Sequence, residues 1–187
     1  MKMKVFSENT WIYPDDVIDE TSESVKLDTA RGGMACFQVL TDTYVKTEDA
    51  ISIMTTAVPG IRTTVYRLIP VCVDKNSGKD RLTGPYEEVA EFATKKAPFY
   101  VYDAMCEIGD DLQSDGRLAF FVRVEADSLC ATGEKKIEIN ISAAGESAQV
   151  NVLLNVHKAT VPSLPNARFG MVNWLNVNHL CRQQRSN

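Results

Sequence analysis

The sequence predicts an all-β protein, an antiparallel β-sandwich with one long inserted loop or short helix. Three observations carry that prediction. Between Leu118 and His157, three runs alternate apolar and polar residues: Leu118, Phe120, Val122 and Val124 against Arg123 and Glu125; Ile137, Ile139 and Ile141 against Glu138, Asn140 and Ser142; and Val150, Val152, Leu154 and Val156 against Asn151, Asn155 and His157. A period of two sends alternate side chains to opposite faces of a sheet, so each run buries one face and wets the other. The connectors Ala131-Thr132-Gly133-Glu134 and Ala143-Ala144-Gly145-Glu146 carry glycine where a hairpin needs unusual backbone angles, which reads as an antiparallel meander. Upstream, Thr63 to Ile69 is dense in the β-branched and aromatic residues that strands favour.

Residues 1–22 read as an irregular lead-in whose aromatics, Trp11 and Tyr13, either cap the core or sit on a partner surface. Residues 23–160 read as the sandwich. Ser24 to Leu27 and Met34 to Leu40 are strands on either side of an Arg31-Gly32-Gly33 turn. Ala50 to Thr56 and Arg62 to Val73 are two more, parted by the turn signal Val58-Pro59-Gly60. Asp74 to Pro85 has loop composition, and Tyr86 to Lys96 has apolar residues at helical spacing, with acids early and lysines late, as the helix dipole prefers. Tyr100 to Cys106 is a short strand and Gly109 to Gly116 an exposed acidic loop. Residues 161–187 read as a linker that leaves the sheet, because Pro162 and Pro165 cannot sit together in a central strand.

Composition narrows function by exclusion. The 187 residues are 44% hydrophobic, enough for a sizeable core. A net charge of −5 with no basic cluster beyond Lys95-Lys96 argues against nucleic acid. Neither a secretion signal nor a membrane span is present, so the expectation is a cytoplasmic chain or one whose leader has been removed. The five cysteines, 36, 72, 106, 130 and 181, form no CxxC pair and read as reduced and structural, with Cys36 and Cys72 as small core side chains.

The order of several segments is familiar. Ala30-Arg31-Gly32-Gly33-Met34-Ala35-Cys36-Phe37-Gln38-Val39, then Val65 to Val71, the alternating runs to Val156, Pro162-Ser163-Leu164-Pro165, and Phe169 to Asn176 follow one another from Leu27 onward. This order resembles the N-terminal β-sandwich of bacterial glycoside-hydrolase-like proteins, glycoside hydrolase family 123 among them, in which a proline-marked connection leads into a (β/α)₈ barrel. Gly33 departs from the pattern, since the family usually has an acid after Arg-Gly. The resemblance implies that the chemistry belongs to the barrel, where carboxylates flank a glycosidic bond at the C-terminal ends of the strands. It further implies that Phe169 to Asn176 matches the first barrel strand or its lead-in. Trp174, Asn176, Asn178 and His179 would then contribute to substrate binding once a barrel is present.

No residue of the chain itself earns a catalytic, metal or cofactor assignment. His157 falls on a polar strand face, where a hydrogen-bonded histidine is the simpler reading than a ligand. Asp15-Asp16, Glu87-Glu88 and Asp110-Asp111 are adjacent acids in polar segments, unlike carboxylates opposed across a substrate; Asp110, Asp111 and Asp115 lack the spacing of a calcium loop. Trp11, Tyr13, Tyr44, Tyr86, Tyr100, Tyr102 and Trp174 are the candidate sugar-stacking aromatics, with burial the simpler reading for Tyr100, Tyr102 and Trp174. Two partners are expected: a C-terminal barrel domain and possibly a carbohydrate. The leading expectation is a non-catalytic accessory domain packing against a glycosidase-like barrel, and the alternative is a stand-alone carbohydrate-binding module.

Overall fold

The computed structural model describes residues 1–76, 95–108 and 115–162. The possible helix at 86–96 and the acidic loop at 109–116 fall almost wholly outside the described residues. So does the stretch from 163 onward. Nine strands are present among those described: β1 (Met3–Ser7), β2 (Ser24–Arg31), β3 (Met34–Val45), β4 (Ile51–Thr55), β5 (Ile61–Val73), β6 (Phe99–Glu107), β7 (Gly116–Ala126), β8 (Gly133–Ala143) and β9 (Glu146–Thr160). They form a five-stranded sheet in the order β1-β3-β7-β5-β6 and a four-stranded sheet in the order β2-β9-β8-β4. The fold is a β-sandwich, as the alternation predicts.

Its core is built from the residues that alternation singles out. Leu118, Phe120, Val122 and Val124 of β7, Ile137, Ile139 and Ile141 of β8, and Val150, Val152, Leu154 and Val156 of β9 are all buried in one cluster with Phe37 and Val39 of β3. Inner faces of two sheets interdigitate in this way across a layer about 10 Å thick.

Four features correct the reading from sequence. The three runs are not one meander: β7 lies at the centre of the five-stranded sheet, and only β8 and β9 pair as a hairpin. The connector after Ala126 therefore crosses between sheets, whereas Ala144 and Gly145, both at positive φ (51° and 77°), make a tight two-residue hairpin turn. One pair, β2 with β9, is parallel. The first 22 residues are not all irregular, because Met3–Ser7 pairs with β3 as an edge strand. Cys72 is exposed and Cys36 only half-buried, while Cys106 and Cys130 are the buried thiols among the described residues. A register shift between Ile69 and Pro70 interrupts the alternation of β5 before Cys72 is reached.

The turn between β4 and β5 shows how closely the backbone is specified. Ile61 N–H donates to the Val58 carbonyl at 3.0 Å, closing a β-turn with Pro59 and Gly60 at its centre. Gly60 sits at φ 74°, and a Cβ there would lie 3.1–3.2 Å from Cys130. Pro followed by Gly at these positions is the type II pattern, which reserves the third place for a residue tolerant of positive φ. Gly60→Ala is expected to destabilise the fold by about 1–3 kcal/mol, through left-handed backbone cost and the crowding of Cys130. Chemical denaturation of the two proteins measures it.

Candidate functional site

The five-stranded sheet has a second buried face. On its outer side Leu40, Leu68, Tyr102 and Ala119 form a cluster with Ile12, and Phe6, Ile18 and Phe121 pack against it. Ile12 comes from the segment between β1 and β2, which leaves the β1 edge, crosses the sheet and returns. An irregular segment laid on an apolar sheet needs partners for its own backbone, and they can be named one by one.

Gln38 on β3, itself buried, donates through Nε2 to the carbonyls of Ser7 (3.0 Å), Thr10 (2.8 Å) and, more weakly, Glu8 (3.4 Å). Tyr102 N–H donates to the Ile12 carbonyl at 3.1 Å. Arg117 on β7 donates through Nη1 to the carbonyls of Pro14 and Asp16, and through Nε to that of Thr41. Asp16 Oδ2 accepts from Tyr13 N–H at 2.9 Å. The Tyr13 ring meets Phe99 edge-on at 5.8 Å, and Lys95 reaches over it to Asp15 at 2.6 Å. On the return, Lys4 binds Asp19 at 3.2 Å and Val5 N–H donates to the Ser22 hydroxyl at 2.6 Å. The segment is a strap.

Between this strap and β6 lies an open groove of about 350 Å³. Glu8, Asn9, Thr10 and Trp11 form its strap wall; Asp103 and Met105 of β6 form the other; Gln38, Leu68 and Phe121 form the floor. Trp11 is 58% exposed although Ile12 beside it is fully buried. The Glu8 carboxylate accepts from the Ser7 hydroxyl at 3.1 Å and the Asn9 amide at 3.4 Å. Deeper in the sheet, burial pushes the Tyr102 phenol up to about 12, and its hydroxyl donates to the Arg117 carbonyl at 2.8 Å.

The candidates read from sequence separate accordingly. Tyr13 packs on the sheet, Tyr102 is buried, and Trp11, Tyr44 and Tyr100 are exposed. Asp15 and Asp16 serve the strap rather than a substrate. Asp115 accepts from both the amide and the hydroxyl of Thr47, which holds its carboxyl below the usual range. On the outer face of the other sheet His157 Nε2 meets Asp28 Oδ1 at 2.8 Å, and Asn155 donates to the same oxygen at 2.9 Å. Among the described residues no group of three or more His, Cys, Asp or Glu is placed to hold a metal ion. Trp174, Asn176, Asn178 and His179 lie outside the described residues, as do Tyr86, Glu87, Glu88, Asp110 and Asp111.

Sequence reading passed over the groove because it treated β7 as apolar on one face only. Leu118-Ala119-Phe120-Phe121-Val122 is an unbroken apolar run, the pattern of a strand buried on both faces. Such a strand demands a second cover.

No protein-family model and no curated protein matches the chain. Its fold is similar to that of a solved family 123 glycoside hydrolase from Clostridium perfringens, whose structural analysis concerned glycolipid glycan hydrolysis. The two share 8% identity at a TM-score of 0.53, over 86% of this chain and 28% of the other. A likeness at that identity is one of fold. This chain thus corresponds in fold to a little over a quarter of that enzyme. A second structure, described as "BspA_C_WT", aligns over 82% of the chain at a TM-score of 0.28, too low to carry an argument.

Two predictions test the strap. Gln38→Leu removes the side-chain donor to the Thr10 carbonyl and leaves that of Ser7 with only the Thr10 N–H; a loss of about 1–3 kcal/mol is expected, with faster proteolysis between residues 8 and 22. Lys95 and Lys4, by hydrogen bonding, hold the carboxyls of Asp15 and Asp19 below the ordinary value of 3.8. A carboxyl whose folded value lies below its unfolded one stabilises the fold above the unfolded value and loses that contribution as pH falls through the folded one. Protease resistance of the strap should therefore decline below about pH 4. An Asp15→Asn, Asp19→Asn double variant should show a flatter profile over the same range.

Proposed function

We propose that this chain is a non-catalytic accessory β-sandwich of a glycoside-hydrolase-like protein, packing against a catalytic barrel domain. The observation that supports it most is the fold likeness to the family 123 enzyme, which takes in nearly all of this chain but 28% of that one. The order of the sequence segments leads to the same family. In this reading the chemistry resides in the barrel, and Trp174, Asn176, Asn178 and His179 stand at the junction, where they contribute to substrate binding.

One end of the sandwich suits a domain contact. Val161, 46% exposed, is where the described chain leaves β9, and its N–H donates to the Arg31 carbonyl at 2.8 Å. A Cβ on Gly32 would lie within 3.1 Å of the Val161 carbonyl and 3.7 Å of the Ser128 side chain, so the Asp127–Cys130 turn sits at the same end. Leu129 on that turn is 92% exposed. In this reading Leu129 and Val161, both exposed beside the exit, are covered by the following domain.

Hydrolysis of a panel of aryl glycosides by the 187-residue chain, and by a longer product carrying the barrel, tests the proposal. Turnover is expected only with the barrel present, and Leu129→Lys should lower the thermal stability of the longer protein while leaving the short chain unchanged. Turnover by the short chain itself would overturn the proposal.

A further inference from the structure

We propose that the groove between the strap and β6 is a binding site for a neutral sugar, with Trp11 as its stacking platform and Glu8 and Asp103 as hydroxyl acceptors. The proposal does not rest on the accessory-domain reading, since it concerns a surface made wholly by the sandwich.

The first support is the way Trp11 is held. Trp11, 58% exposed, presents a large, flat, amphipathic ring to solvent, the kind of side chain that supplies contact area in recognition surfaces. Here the exposure is not a matter of slack. Thr10 on one side is fixed by Gln38 through its carbonyl, and Ile12 on the other is fully buried with its carbonyl bonded to Tyr102 N–H. With both neighbours anchored to the sheet, the backbone at Trp11 has little freedom, and the indole has only two side-chain torsions to lose. A ligand that stacks on it therefore meets a surface whose ordering cost was met on folding.

The second support is the chemistry of the lining. Carbohydrates need an apolar surface for the C–H face of the ring and polar groups around its edge for the hydroxyls. The groove offers both: Trp11, Leu68, Met105 and Phe121 are apolar, while Glu8, Asn9, Thr10 and Asp103 are polar. Gln38 also lines the floor, but its amide nitrogen is engaged by the strap. Among the described residues neither lysine nor arginine lines the groove, and two acidic residues do. An anionic sugar or a phosphate is thereby disfavoured, and a neutral ring is favoured.

Size sets the third constraint. At about 350 Å³ the groove is at the small end of the roughly 300–1,000 Å³ typical of ligand sites. It is open along its length, so it suits the end of a short oligosaccharide, with further rings running out over the strap.

The test is isothermal titration of the 187-residue chain with cellobiose, lactose, maltose and N,N′-diacetylchitobiose, with a glucuronide disaccharide and tetramethylammonium as anionic and cationic probes. Saturable binding of at least one neutral disaccharide is expected, weakened roughly tenfold or more by Trp11→Ala and retained in large part by Trp11→Phe. Asp103→Asn should weaken it less than Trp11→Ala does, with an unchanged melting temperature. Circular dichroism of each variant separates lost binding from lost fold, since Trp11 is exposed and its removal leaves the strap anchors in place. Binding that survives Trp11→Ala would overturn the site. So would preference for tetramethylammonium or the glucuronide, or failure of every neutral sugar to bind at millimolar concentration. None of these outcomes bears on barrel-dependent hydrolysis, so the two proposals fail separately.

Discussion

The five-stranded sheet cannot leave its outer face in water, and much of the structure follows from that constraint. Its inner face meets the four-stranded sheet through Phe120, Val122 and Val124, while its outer face carries Leu40, Leu68, Ala119 and Phe121. A sheet that is apolar on both sides needs a third layer. Here that layer is a strap of irregular chain rather than a helix or another sheet. Irregular chain lacks a hydrogen-bond ladder of its own, so its carbonyls must be met by side chains or amides from below. Gln38 and Arg117 meet them, each reaching more than one strap carbonyl. This is why two long polar residues stand beside the apolar cluster of the outer face.

Covering the sheet in this way also creates a concave surface that combines an exposed indole with acidic side chains. The strap alternates in effect, with Ile12 inward, Trp11 outward, and Tyr13 against Phe99. Because it does not reach across the whole outer face, a gap remains between Trp11 and Met105. Anchoring and opening are thus products of the same packing problem. The strap wall of the groove is hydrogen-bonded to the sheet beneath it, and the groove is lined by none of the residues at the end of the sandwich where Leu129 and Val161 are exposed. A sugar on one surface and a domain on the other would not compete.

Much of the fold was legible in the sequence, because β8, β9 and one face of β7 obey a strict period of two. The Pro59-Gly60 and Ala144-Gly145 turns were legible for the same reason: their backbone angles restrict which residues fit. Sheet membership was not. Alternation states which face a residue takes, not which strand it pairs with, so β7 was read as the neighbour of β8 when its partners are β3 and β5. The groove was hidden more deeply. Its residues come from positions 8–11, 38, 68, 102–105 and 121, which only the sheet order brings together. The visible clue was composition, in the unbroken apolar run from Leu118 to Val122. For Cys72 the misleading feature was local: an apolar neighbourhood implies burial only while alternation holds, and it is interrupted between Ile69 and Pro70.

Gly33 is a position where sterics restrict the side chain. A Cβ at this position would come within 2.9 Å of the Thr29 hydroxyl and 3.1 Å of the Ala30 carbonyl. Gly33 N–H also donates to that carbonyl at 3.1 Å, and its own carbonyl accepts from Ala126 N–H at 3.0 Å, so the backbone has little room to retreat. The Thr29 hydroxyl could rotate away; the Ala30 carbonyl could not without loosening the turn. An acidic side chain therefore does not fit this turn as it is built. Arg31 nearby donates from Nη2 to the Lys158 carbonyl of β9 at 2.9 Å. The arginine thus ties β2 to the far end of β9 just before the chain leaves the sheet at Val161.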